Sequence, residues 1–171
     1  MLKTLLVVFT LSSAGPAIAC GNPLLWTMLF ARVPEAKLVF DADLAAREAG
    51  TLHARVFQGA DPGESYHQWS VDWLGDAAQA LHDTVVKDVE QGEHVTILLA
   101  DAVAALRFQP GVEPKVISAA GLDYDEGFDA ITTVNALESG LRHGLSTDHL
   151  REQGVLVATS NKRVQVIASL F

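Results

Sequence analysis

Apolar and polar residues recur with different periods along this chain, and the period changes at glycine, proline and capping residues. Leu74, Ala78, Leu81, Val85 and Val89 form one stripe at helical spacing, with Asp76, Asp83, Lys87 and Glu90 turned away from it. The spacing predicts a helix over about 72–90, stopped by Gly92. "HVTILLA", 94–100, is a continuous apolar run with β-branched residues, the pattern of a buried central strand. "TLHARVFQ", 51–58, alternates and reads as a strand, and "GADPGESYH" after it reads as a loop. Asn22 and Pro23 suit the start of a short buried helix over "LLWTMLFARV". Pro34 and Glu35 open a second helix. Its stripe is read as Leu38, Ala42, Ala45 and Ala49, with Asp43 and Arg47 paired at i,i+4 and Gly50 at the end. A strand at "KLVF" competes for its first half.

Later segments follow the same logic. "DAVAALRF" begins with a capping Asp101 and reads as a short helix. "KVISAA", 115–120, and "AITTV", 130–134, read as strands. Asn135 is the expected cap of a helix over "ALESGLRHG", and Ser146 of one over "TDHLREQG". "VLVATSNKRVQVIASLF" reads as two strands around a "SNKR" turn. Strands separated by helices predict a single α/β domain, with a mainly parallel sheet flanked by helices and a C-terminal antiparallel hairpin.

The first nineteen residues change the picture. Lys3 precedes an apolar run, Leu5–Leu11, that is too short to span a membrane. Ser12, Ser13, Gly15 and Pro16 break it, and Ala17-Ile18-Ala19 supplies small residues at a cleavage site. This is the pattern of a secretory signal at 1–19, which leaves 20–171 as the domain and implies a periplasmic location. Cys20, the one cysteine, would then be the first mature residue. Two readings stand. Ala19 fits a lipoprotein site, so Cys20 is a candidate for lipidation. Ala17 stands where such signals usually carry Leu, and "NPLLWTMLF" begins where a polar tether is usual, which suits a released protein with a free thiol. An internal disulfide is impossible with one cysteine.

The net charge of −9 disfavours nucleic acid and anionic membrane surfaces as partners, so membrane contact is expected only through a lipid on Cys20. Hydrophobic content of 49% excludes a largely disordered chain.

Candidate chemistry is sparse. "GLDYDEGFD", 121–129, offers Asp123, Asp125, Glu126 and Asp129 to a hard cation. However, Gly127 stands fifth rather than sixth, and Val134 replaces the twelfth-position Glu of a calcium loop, so a solvated acidic loop is expected. The six histidines lack metal spacing, although His143 and His149 could meet across a turn. No nucleophile elbow, phosphate loop or dinucleotide fingerprint occurs, and no cofactor or metal is expected. "SYHQWSVDW", 65–73, is the unusual segment. Tyr66, His67, Trp69 and Trp73 crowd together, and Trp69 and Trp73 would share a helix face. They either pack the core or form a binding site in which aromatics supply area and polar tips supply orientation.

"VTILLADAVAAL" and "TTVNALESGLRHGLSTDHLREQGVLVAT" resemble the DsrE-type sulfur-relay family, whose late signature would correspond to Gly144-Leu145, His149-Leu150 and Gly154-Val155. The resemblance covers about half the chain and implies an α/β sheet. The sulfur-carrying members place a cysteine before this helix. Thr132 and Thr133 stand there, so persulfide transfer is unsupported, because only a thiolate can carry the sulfur. Two functions follow as expectations. The first is an exported, non-catalytic accessory or binding protein that assists assembly or maturation of another periplasmic protein. The alternative is a small-molecule carrier or enzyme with a site at the carboxyl ends of the strands, near Asp101, Thr133 and Asn135. A pocket holding converging polar groups at those strand ends would favour the second, and a flat apolar patch the first.

Overall fold

The computed structural model describes residues 23–53, 66–159, 167, 168, 170 and 171, with the side chains of 66–72 left out. Residues 1–22, the signal segment, Cys20 and the expected Asn22 cap therefore lie outside the described residues. So does most of the strand expected at 51–58.

Five α-helices and five strands position the site, with a 3-10 turn at Ala119–Gly121 where the strand expected at 115–120 ends early. They are α1 (Pro23–Arg32), α2 (Pro34–Glu48), α3 (Tyr66–Val86), β1 (Val95–Leu99), β2 (Ala104–Gln109), β3 (Val112–Ile117), β4 (Ala130–Thr132), α4 (Val134–His143), α5 (Thr147–Glu152) and β5 (Val157–Ala158). Proline sets the first boundary. The ring of Pro34 disfavours a helical conformation at Val33, whose φ of −131° and ψ of 80° end α1 and start α2 afresh. Over "KLVF" the helix wins against the competing strand.

The sheet order is β3-β2-β1-β4-β5. Only β1 and β4 pair in parallel; β1–β2, β2–β3 and β4–β5 are antiparallel. The sheet is thus mixed, not mainly parallel. The main cause is the segment "DAVAALRF", which forms β2 rather than a helix. Residues 100–103 turn the chain back so that Leu99 faces Ala104. Val103 takes φ +49° to make that turn. A second turn at Pro110 and Gly111, the latter with φ +73°, joins β2 to β3. Pro114 is tolerated within β3 because that strand lies at the sheet edge. Of the expected C-terminal hairpin, only the first strand, β5, lies among the described residues; Ile167 and Ala168 are helical.

The fully buried β1 separates two cores. Val95, Ile97 and Leu99 face one cluster with Leu74, Ala78, Leu81, Val85 and Val89, the stripe legible in the sequence. Leu98 and Ala100 face the other, with Leu29, Ala36, Val39 and Ile131. Side-chain alternation along one strand therefore seats helices on both faces of the sheet. In α2 the buried face is Ala36, Val39, Asp43 and Ala46, while Leu38, Ala45 and Ala49 are exposed. Of the expected stripe only Ala42 packs, partly buried, against the core; the rest points outward, because a carboxylate occupies the buried side.

Gly140 shows how tightly the C-terminal residue docks. A Cβ at Gly140 would fall 2.5 Å from the Phe171 ring, and the Phe171 amide donates to Thr147 Oγ1 at 3.0 Å. Gly140→Ala is expected to destabilise by about 1–3 kcal/mol through overpacking, despite the better helix propensity of alanine. Urea unfolding should show the penalty disappearing in a Phe171→Ala background. An equal penalty in both backgrounds would mean that the ring is not the obstacle.

Candidate functional site at the strand ends

The carboxyl ends of β1 and β4 lie side by side because these two strands are parallel. Asp101 follows β1, and Thr133 and Asn135 follow β4. Here α4 begins. Thr133 is its cap: extended backbone, φ −127° and ψ 161°, lets its hydroxyl accept the Ala136 N–H at 3.1 Å. The expected cap, Asn135, sits inside the first turn. Its amide instead donates to both carboxylate oxygens of Asp43 at 3.2 Å.

Asp101 does cap a helix, but one distant in sequence. Its carboxylate accepts the Val134 N–H at 2.9 and 3.1 Å, satisfying a donor that a helix start leaves free. Its backbone carbonyl accepts Trp26 Nε1 at 3.2 Å, which ties α1 to the same junction.

Asp43 completes the cluster. It is fully buried, accepts the Thr133 hydroxyl at 2.7 Å and pairs with Arg47 Nε at 2.7 Å. A buried carboxylate is tolerable only when its oxygens are filled, and Arg47, Thr133 and Asn135 fill them. The Asp43–Arg47 pair is thus legible as an i,i+4 pair, whereas its inward placement is not.

Asp101 is half-buried as a residue, but its carboxylate is enclosed. Burial pushes its pKa up to about 7, the negative charge of Asp43 adds to the rise, and the Val134 N–H opposes it. The folded state then keeps the proton up to about pH 7, while the unfolded chain loses it near the ordinary 3.8. Stability from this group is complete below that lower value and is lost as pH rises toward 7. Asp101→Asn keeps an acceptor for Val134 but carries no charge. Between pH 4 and 8 wild type should lose up to about 4 kcal/mol more stability than this variant, as read by urea unfolding at each pH. Parallel pH profiles would show that Asp101 ionises normally.

The other expected chemistry is placed as follows. Trp73 is 8% exposed and belongs to the core under α3. Tyr66, His67 and Trp69 are in α3, but their side chains lie outside the described residues. In the acidic loop, Asp123 accepts the Asp125 and Glu126 N–H groups, and the Asp129 carboxylate accepts the Thr96 N–H. Glu126 bridges Arg107 and His94. The carboxylates of Asp123, Glu126 and Asp129 are thus turned to protein partners. His143 does not meet His149: it stacks on His53 with ring centroids 3.8 Å apart, and His149 contacts Gln153. Among the described residues, no group of three or more His, Cys, Asp or Glu is placed to hold a metal ion. No helix among them is long and apolar enough to cross a membrane.

A shallow groove of about 530 Å³ lies away from the strand-end cluster, along Asp148, Arg151, Glu152, Leu156, Val157 and Ala158. The chain matches no protein family, no curated protein and no solved structure.

Proposed function

We propose that the chain is an exported, non-catalytic accessory protein that assists assembly or maturation of another periplasmic protein, either held at the membrane by a lipid on Cys20 or released with a free thiol there. The observation that carries this reading is how polar and apolar groups divide in the fold. The polar groups at the strand ends are turned onto one another. Of the large hydrophobic side chains that stand exposed among the described residues, Leu24, Met28, Leu38 and Leu44 all lie on the α1–α2 hairpin, and only Val112 lies elsewhere. A catalytic carboxylate must meet a substrate; Asp43 instead meets Thr133, Asn135 and Arg47. Exposed apolar side chains on one hairpin suit recognition of another surface. The segment Tyr66, His67 and Trp69 is a second candidate contact in the same reading.

Growth with labelled fatty acid tests the anchor. Label should enter the wild-type protein in the membrane fraction and be absent from Cys20→Ser. Unlabelled wild-type protein confined to the soluble fraction would exclude anchoring.

One observation favours the alternative, a small-molecule carrier or enzyme with a strand-end site like that implied by the DsrE-type resemblance. Asp101 titrates near neutrality beside a second carboxylate, and the β-branched Val103 next to it holds a positive φ of 49°. Perturbed carboxylates and backbone strain both concentrate at functional sites. In that reading Asp101→Asn abolishes activity in the producing cell while the protein stays folded. In the accessory reading it changes only the pH dependence of stability.

A further inference from the structure

We propose that the α1–α2 hairpin is a pH-gated flap, released from the sheet when the strand-end junction loses its proton. The flap depends on the junction alone, whether or not Cys20 is lipidated. α1 is tied there by Trp26 Nε1, which donates to the Asp101 carbonyl at 3.2 Å. α2 is tied by Asp43, which accepts the Thr133 hydroxyl and the Asn135 amide at the start of α4. Asp101 holds α4 through the Val134 N–H. Two carboxylates thus share one enclosed junction.

The groups around Asp101 leave it short of positive charge. From α2 come Asp43 and Arg47, and the guanidinium is turned to the Asp43 oxygen at 2.7 Å. From α4 come the Val134 N–H, Thr133 and Asn135, none of them charged. From α1 comes the uncharged Trp26 indole, while Arg32, the one charge of that helix, lies over the Tyr124 ring at 5.2 Å. With one cation between two carboxylates, the closed junction carries one negative charge readily. A second meets Coulombic repulsion that a buried site screens poorly. Burial above all, then the charge of Asp43, keeps the proton on Asp101 up to about pH 7 against the pull of the Val134 N–H; a solvated Asp101 loses it near 3.8. As pH rises between these values, opening is favoured because it lets Asp101 ionise in water.

The hairpin is the part that yields. It covers the smaller core, where Leu29, Ala36 and Val39 meet Leu98, Ala100, Val103 and Ile131, whereas α3 packs into the larger core on the other face of the sheet. Local opening draws on the segments that bury least. Val103, in that smaller core, holds φ +49°, a costly conformation for a β-branched residue that release of the helices lets relax. Opening uncovers the apolar sheet face of Leu98, Ala100 and Ile131 together with an ionised Asp101.

Amide exchange of the full chain, followed by NMR from about pH 5 to 8 and corrected for the intrinsic pH dependence of exchange, tests this. Protection at Val39 and Ala46 in α2 should fall about tenfold per pH unit up to about pH 7 and level off above it, because one proton is lost per opening. It should also stay at least about tenfold below that of Ile97 and Leu98 in β1, since the flap opens before the domain does. In Asp101→Asn the fall with pH should vanish. A flat wild-type profile at Val39 and Ala46 overturns the proposal, as does a fall that persists in Asp101→Asn. Equal protection in α2 and β1 also overturns it, because opening is then global. If the variant does not fold, the wild-type profile and the α2–β1 difference decide by themselves.

Discussion

Asp43→Ala should cost about 3–5 kcal/mol of folding stability, among the largest losses available to a single polar substitution here. The carboxylate is fully buried, and one side chain joins α2 to the start of α4. Its removal leaves the buried Thr133 hydroxyl without its acceptor and the Asn135 amide without the two oxygens it reaches. Arg47, about one-third exposed, can turn to water. Asp43→Asn should cost less, since it keeps one oxygen, but it sets an amide against the donors of Arg47 and Asn135. Urea unfolding of both variants measures the difference. A loss below about 1 kcal/mol for Asp43→Ala, the worth of an exposed ion pair, would show that the cluster does not clasp the helices.

Trp73→Ala should be comparably damaging, at about 3–5 kcal/mol, because it empties a large aromatic volume from the core between α3 and the sheet. Trp73 is buried in the same cluster as Leu74, Ala77 and Leu81, and a close-packed core closes such a space only partly. Melting of the variant checks this. Near-native stability combined with loss of a partner would return Trp73 to the binding segment with Tyr66, His67 and Trp69.

Local pattern carried the fold where one residue type dominated each face. The α3 stripe from Leu74 to Val89 and the apolar run of β1 are legible for that reason, and so is Ser146, whose hydroxyl accepts the His149 N–H at the start of α5. It failed over "DAVAALRF", where four alanines and leucines suit either state and the deciding term is pairing with β1. Long-range pairing has no local signature, and that segment, with the antiparallel pairing of β5 on β4, turns a parallel expectation into a mixed sheet. The strand-end cluster was half legible. Asp101, Thr133 and Asn135 are polar residues at the ends of recognisable strands, so their meeting follows from topology. Asp43 was hidden because hydrophobic periodicity treats a carboxylate as an outward position, and its true stripe, Ala36, Val39 and Ala46, is interrupted by it. Asp101 is a further case. Its capping chemistry could be read, but the helix it caps is thirty-three residues away in sequence.

The most direct measurement is the intact mass of the protein recovered from the membranes of the producing cell. Export and anchoring predict a chain that begins at Cys20 and carries the added mass of acyl groups, which is absent from Cys20→Ser. A species that begins at Cys20 with an unmodified thiol would assign the released form, and one that retains Met1 to Ala19 would contradict the exported accessory function.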